Sequence, residues 1–395
     1  MINEKMRELG AKRSVIRELF EYGKARNAEI GAENVFDFSL GNPSVPSPDV
    51  VGETMQALIA ERDPVALHGY TSAQGDAGVR NSIADYLNRT HGADVTADCL
   101  YLTVGAAAAL TVSLTAILQP DDEVILLAPF FPEYRVFIER TGARVVSVMC
   151  REDDFQPDID ALKRAITQKT RAVIINSPNN PTGAVVTEEN IKALAALLKD
   201  ASDQNGEPVY LIADEPYREL VYGDVFVPFL PNYYGNTLVC YSFSKSVSLP
   251  GERIGYVLVS PKATDFTALY QAVCGAGRAL GFVCAPSLLQ YLIPSVLGKT
   301  SDLTVYDTNR RLLYEALTDY GFSVVKPDGA FYLFVRSPEP DANAFCERAK
   351  KFELLLVPSD DFGCPGYVRI AYCVTTEQIE RSLPAFRALA ESYQN

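Results

Sequence analysis

Continuous runs of aliphatic and β-branched residues recur along the chain, at 124–128, 144–148, 172–176, 209–213, 237–241 and 256–259. Between them apolar positions repeat at helical spacing; Val79, Ile83, Tyr86 and Leu87 mark the face of one such helix. A strand that is apolar at every position, not at alternate ones, is covered on both faces. The pattern therefore predicts an α/β fold with a mostly parallel sheet between helices. Ahead of it, residues 14–28 read as a helix with Val15, Ile16, Leu19, Phe20 and Gly23 on one face and Ser14 as its N-cap. Residues 38–48 hold too many prolines and glycines for regular structure. From about residue 287 the pattern changes to helices with a few strands, 331–335 and 367–371 among them. The expected organisation is an N-terminal arm over 1–45 that joins the small domain, a large domain over 46–286, and a smaller α+β domain over 287–395.

Composition narrows the choice of function. A chain of 395 residues that is 48% hydrophobic is an ordinary folded protein with room for two cores. A net charge of −14 disfavours nucleic acid and acidic membrane surfaces as partners. There is no run of eighteen apolar residues, and no signal-type apolar segment follows the first residues, so a cytoplasmic protein without a membrane span is expected. The eight cysteines are scattered and contain no C-x-x-C pair, which suits small buried apolar residues in a reducing compartment. His68 and His91 are the two histidines, so a histidine-rich metal site or a Ser-His-Asp triad is not expected, and no metal is assigned. His91 precedes Gly92, where a helix should end.

Four polar clusters stand where strands of such a sheet should end, the place where ligands gather in parallel sheets. They are Asn176-Ser177-Pro178-Asn179-Asn180-Pro181-Thr182-Gly183, Asp214-Glu215-Pro216-Tyr217, Ser242-Phe243-Ser244-Lys245 with Arg253, and Thr103-Val104-Gly105-Ala106-Ala107. Taken singly each has a plain reading. Asn-Pro and Pro-Thr-Gly make turns, an acid after a strand caps a helix, a lysine is a solvated charge, and Gly-Ala-Ala packs closely. Together they suit one ligand. A lysine condenses with an aldehyde to form an imine, while hydroxyls, an arginine and the free amides of a helix start hold a phosphate. Pyridoxal phosphate carries both groups. Gly275-Ala276-Gly277 lacks the third glycine and the leading strand of a dinucleotide site, and that reading is rejected.

In order and spacing, Asn180-Pro181-Thr182-Gly183, Asp214-Glu215-Pro216-Tyr217 and Ser242-x-Ser244-Lys245 with Arg253 resemble the class I/II pyridoxal-phosphate aminotransferases of the aspartate aminotransferase fold type. The resemblance runs from the N-terminal helix to Arg369. It implies fold type I, with a sheet of the seven-stranded type in the large domain. By this resemblance Lys245 forms the imine with the cofactor and then moves the substrate α-proton, which requires an amine whose pKa is lowered by its surroundings. Asp214 would keep the pyridine nitrogen protonated, and Tyr217 and Asn180 would hydrogen-bond the ring oxygen. Ser242, Arg253 and the amides of Gly105, Ala106 and Ala107 would hold the phosphate, with Ser244 a further member. Phe131 would stack on the ring, with Phe130 and Tyr134 as the neighbouring alternatives. Ala107 stands where many relatives carry a polar residue.

The resemblance also places substrate contacts. Arg369, in a strand that otherwise reads as buried, would grip the α-carboxylate, and Gly41 beside Asn42-Pro43 would lie on the loop that closes over the substrate. Tyr70 would reach the phosphate of a neighbouring subunit, which implies a homodimer with shared sites. Arg278, in a loop expected around residues 273–283, resembles the arginine that reads a side-chain carboxylate in aspartate-specific relatives; otherwise it is a loop arginine on the surface or at the interface. The implied activity is ping-pong transfer of an amino group between an amino acid and a 2-oxo acid. Aspartate is the first expected donor and 2-oxoglutarate the expected acceptor; aromatic amino acids, alanine and methionine are the alternative donors. A C–S β-lyase would use the same lysine and aspartate, whereas a non-catalytic homologue would not keep every catalytic position filled.

Overall fold

The computed structural model describes residues 2–11 and 15–393, so Ser14, the expected N-cap, lies outside the described residues. The chain forms two compact units. One comprises Val45–Leu303 with Asp328–Ala330; the other comprises the residues up to Ser44, Thr304–Pro327 and the chain from Phe331 onward.

The larger unit is built on a seven-stranded sheet. Its order is Leu100–Thr103, Gly255–Val259, Thr237–Ser242, Tyr210–Asp214, Thr170–Asn176, Glu123–Ala128, Arg144–Met149. Gly255–Val259 runs antiparallel to both neighbours and the remaining pairs are parallel. This is the mostly parallel sheet that the uniformly apolar runs predict. Leu100–Thr103, Thr237–Ser242 and Gly255–Val259 are buried at every position, whereas the edge strand Arg144–Met149 exposes both its ends. Ile125, Val173, Leu211, Val239 and Leu258 pack into the core on one face. Val124, Leu126, Ala172, Ile212, Leu238 and Val257 pack into the core on the other. Each such fully buried Val, Leu or Ile side chain is worth about 1.5–3 kcal/mol.

Register carries this order to the strand ends. Asn176 lies opposite Asp214, Asp214 opposite Cys240, and Ser242 opposite Gly255. The carboxyl ends of three adjacent parallel strands thus deliver Asn176, Asp214 and Ser242 to one edge of the sheet.

One expectation is corrected here. Residues 273–283, expected as a loop, belong mostly to the helix Phe266–Leu280, which ends at Gly281 in the left-handed conformation. Gly277 has no room for a side chain, because a Cβ would collide with the Tyr101 hydroxyl. Its glycine serves the packing of helix against strand, and the apparent breaker is a contact residue.

The smaller unit holds an antiparallel sheet in the order Val357–Pro358, Tyr367–Ala371, Tyr332–Arg336, and a short parallel pair of Phe36–Asp37 with Leu354–Leu355. Its helix Val15–Ile30 packs Leu19 against Val357 and Phe362, with Val15 and Ile16 beside them. Phe20, expected on that face, is exposed; one residue beyond Leu19 turns about 100° around the axis and leaves the narrow apolar stripe. Among the described residues no helix is long and apolar enough to cross a membrane. All eight cysteines are free; six are buried, and Cys274 and Cys284 are half-buried.

Candidate active site

Asp214 closes its strand with a fully buried carboxyl group. Its Oδ2 accepts a hydrogen bond of 2.5 Å from the Tyr134 hydroxyl, and its Oδ1 has no hydrogen-bond partner among the described residues. Burial pushes its pKa up to about 7, Tyr134 opposes that rise, and the neighbouring Glu215 adds to it. Such an oxygen, buried and unanswered, is costly unless a ligand supplies a donor.

Asn176 ties this position to the next loop. Its Nδ2 donates to the Asp214 carbonyl at 2.8 Å, and its Oδ1 accepts from the Asn180 amide at 2.7 Å. Asn179 holds the turn beyond, accepting from the Thr182 amide and hydroxyl at 3.1 and 2.9 Å. Tyr217 is buried near Tyr134, and Phe131 meets Tyr134 edge-on with ring centroids 5.6 Å apart. Asn180, Asp214, Tyr217 and Phe131 are thereby gathered around two residues, Tyr134 and Asn176. Sequence reasoning missed both roles, treating Tyr134 only as an alternative stacking ring and Asn176 only as the start of a turn motif.

A second cluster stands beside the strand Thr237–Ser242. Ser242 caps the one-turn helix Phe243–Ser246, accepting from the Ser244 amide at 3.1 Å, and the two hydroxyls lie 2.6 Å apart. Arg253 adopts a φ of 53°, unusual for a side-chain-bearing residue, and its Nη1 donates to the Ser244 hydroxyl and the Pro250 carbonyl at 3.4 and 3.0 Å. The guanidinium also lies against Gly105, whose φ is 90° and whose Cβ, if present, would sit 2.8 Å from Nη2. Gly105 opens the helix Ala106–Ile117, which has no side-chain cap; the amides of its first turn have no carbonyl of the helix to donate to. Free amides, the positive end of a helix, an arginine and two hydroxyls make a cradle for a dianion. Lys245 is half-buried in the one-turn helix that leads out of this cradle.

Two expected residues stand apart. Tyr70 is 99% exposed, and Arg278 is exposed in the last turn of Phe266–Leu280, so it is a helix residue and not a loop one. In the smaller unit, Arg369 is buried in the central strand Tyr367–Ala371. Its Nη2 donates to the Ser39 carbonyl at 2.6 Å, and its guanidinium carbon lies 4.8 Å from the Tyr332 ring and 5.3 Å from the Phe362 ring. Gly41, in the same unit, admits no Cβ because the Tyr332 hydroxyl fills that space. Among the described residues no group of three His, Cys, Asp or Glu side chains is placed to hold a metal ion.

Comparison with known proteins places this arrangement in a family. The chain matches the family described as aminotransferase class I and II over residues 33–386, and it belongs to that family. Enzymes of its aspartate aminotransferase type use pyridoxal phosphate, so the chain is a pyridoxal-phosphate-dependent aminotransferase, with amino acid and keto acid substrates. Among relatives, an aspartate aminotransferase of Thermotoga maritima is 31% identical over 89% of this chain and 90% of its own. An aspartate/prephenate aminotransferase of Thermus thermophilus is 31% identical over 88% and 89%. A crystal structure of an aminotransferase from Eubacterium rectale is 56% identical with a TM-score of 0.98, each chain covered at 100%. The residues of the larger unit fit the cofactor. The unanswered Asp214 oxygen suits a protonated ring nitrogen, and the cradle that Gly105 leaves open to Arg253 suits a phosphate.

Proposed function

We propose that this aminotransferase takes aspartate as its main amino donor and 2-oxoglutarate as acceptor, and that it works as a cytoplasmic homodimer. The names of the relatives support the donor: three of the most similar carry aspartate in theirs. The observation that carries the site assignment is the buried Asp214 Oδ1, an oxygen with one place left to fill.

The bound cofactor supplies an aldehyde that takes up amines and a cationic ring that accepts electrons. The chain's own residues do the rest. Asp214 keeps the ring nitrogen protonated, and Tyr134 holds the carboxylate so that one oxygen faces it. Ser242, Ser244, Arg253 and the amides of Ala106 and Ala107 hold the phosphate, and Gly105 gives it room. Tyr217 and Asn180 hydrogen-bond the ring oxygen, and Phe131 covers the ring. Lys245, as a neutral amine, would take the proton from the substrate α-carbon. Arg369 pairs with the α-carboxylate through its planar fork, which matches two oxygens at once. Tyr70, projecting from the surface, reaches the phosphate of the other subunit, and the loop with Gly41 closes over the substrate.

A panel of amino donors against 2-oxoglutarate tests the reading. Equal amounts of glutamate and oxo acid, formed fastest from aspartate, are expected. Pyruvate and ammonia from a thioether amino acid, without glutamate, would assign a C–S lyase instead.

A further inference from the structure

Gln290 is the polar residue among those that the helix Ser287–Val296 buries, and it is buried completely. Its Oε1 accepts from the Asp76 amide at 2.7 Å. Its Nε2 donates to the Thr71 hydroxyl at 3.1 Å and to the Ala285 carbonyl. A side-chain amide offers two donors and two acceptor sites, so three of its four places are taken. Burying such a group is costly unless it is answered, and two of the answers here come from one short segment.

That segment, 69–76, is irregular chain between the helices Pro64–His68 and Ala77–His91. It carries Tyr70, whose 99% exposure means that packing does not hold the ring. The place of such a side chain is set by its backbone, and this backbone is tied down on both sides of it. The Leu67 carbonyl accepts from the Ser287 hydroxyl at 2.7 Å, and the Thr71 carbonyl from the Cys284 thiol at 3.4 Å. The Cys284 amide donates to the Ala73 carbonyl at 3.3 Å, and the Leu102 amide to the Gln74 carbonyl at 2.9 Å. Gln290 differs from these ties in holding both ends of the turn at once. It grips Thr71, next to Tyr70, and Asp76, the N-cap of the helix that follows, whose carboxylate accepts from the Val79 amide at 3.0 Å. The arc between them closes on itself, the Gly75 amide donating to the Ser72 carbonyl at 2.9 Å.

We propose that Gln290 is a positioning residue for Tyr70: by clamping Thr71 and Asp76 to its helix, it holds the exposed phenol where it meets the phosphate of the cofactor in the other subunit. The inference rests on the proposed contact of Tyr70 with that phosphate and adds the residue that aims it. A phenol on a loose segment loses conformational freedom when it reaches its target. One on a clamped segment has lost that freedom already in folding. The benefit therefore appears only where there is a phosphate to reach.

Absorbance titration of the full-length protein, freed of cofactor, with pyridoxal phosphate and with pyridoxal tests this. Tyr70→Phe checks the underlying contact: affinity for pyridoxal phosphate should fall about tenfold, and affinity for pyridoxal should stay within about twofold. Gln290→Met keeps the length of the side chain and removes the clamp. It should bind pyridoxal phosphate about threefold to tenfold more weakly, again with pyridoxal unchanged. Added to Tyr70→Phe, it should cost less than about twofold more, because the group it aims is gone. Should Gln290→Met not fold, Thr71→Val takes its place with the same expected loss, since it releases one end of the clamp at a half-buried residue. Thr71→Ser keeps the hydroxyl and should bind as the parent does. Unchanged pyridoxal phosphate affinity in Tyr70→Phe overturns the Tyr70 contact and the inference with it. A loss in Tyr70→Phe with parental affinity in both Gln290→Met and Thr71→Val overturns the inference alone. So does a loss shared equally by pyridoxal, or one undiminished in the Tyr70→Phe background, which are the results of a Gln290 that serves only the fold.

Discussion

The Tyr134 hydroxyl donates to one oxygen of the Asp214 carboxylate, and the other oxygen is left buried and unanswered. A carboxylate with both oxygens committed would have nothing to offer a ring nitrogen, and one with neither committed would rotate and take up a proton. The tyrosine fixes both orientation and charge. Removing it, as Tyr134→Phe, deletes a charge-assisted hydrogen bond of about 1.5–3 kcal/mol. The expected result is roughly tenfold weaker binding of pyridoxal phosphate at pH 7, with a smaller loss at pH 8.5, where Asp214 ionises without help. Equal affinity for variant and parent at both pH values would show that Tyr134 does not act through Asp214.

The carboxyl groups of Asp214 and Glu219 are both pushed up to about 7 by burial. In each the protonated form is favoured by folding. The stability it contributes is present in full below the unfolded pKa and is lost as pH rises toward 7. Over that interval the folded apoenzyme binds a proton that the unfolded chain does not. One such group gives a slope of about −1.4 kcal/mol per pH unit. His91, held near 4 by burial, gives the opposite slope between pH 4 and 6.5, so the comparison of variants is the useful measurement. Apoenzyme carrying Asp214→Asn should lose less stability than the parent between pH 5 and 7 in urea denaturation. Parallel curves would mean that Asp214 is already ionised in the fold.

Gly105 joins an unusual backbone shape to the cradle proposed for the phosphate. Its φ of 90° strains any other residue, and a Cβ there presses on the Arg253 guanidinium. Gly105→Ala should displace Arg253 and weaken pyridoxal phosphate binding at least tenfold, a loss of about 1.4 kcal/mol or more. Pyridoxal without the phosphate should bind the variant and the parent alike. If both forms of the cofactor lose affinity equally, the glycine serves the fold and not the phosphate.

The sheet was legible because its strands are apolar at every position, and the clusters were legible because each follows such a strand. Asp214, Lys245 and Arg253 could be picked out by their spacing to those ends. Tyr134 and Glu219 could not. Tyr134 reaches Asp214 eighty residues on, and the burial that raises the Glu219 pKa is made by the fold; a local pattern records neither. Residues 273–283 misled for a related reason. They were expected as a loop, but Gly277 is small because Tyr101 crowds it, and the helix continues through it. The resemblance supplied roles for Tyr70 and Arg369 that no periodicity carries.

Arg278 and Arg369 separate two kinds of recognition. Arg369, proposed to grip the α-carboxylate, is buried among Tyr332, Phe362 and the Ser39 carbonyl. Arg278 is exposed at the end of its helix. Arg369→Lys loses the planar fork, and KM should rise for every amino donor by about tenfold to a hundredfold, 1.4–2.7 kcal/mol. Arg278→Ala removes a charge from the surface and should leave the melting temperature within about two degrees of the parent. If it reads a side-chain carboxylate, kcat/KM for aspartate and glutamate should fall about a hundredfold while alanine and phenylalanine change little. A uniform loss over all four donors, or none, would leave Arg278 without a part in specificity and move the search for the acidic-side-chain contact to another residue.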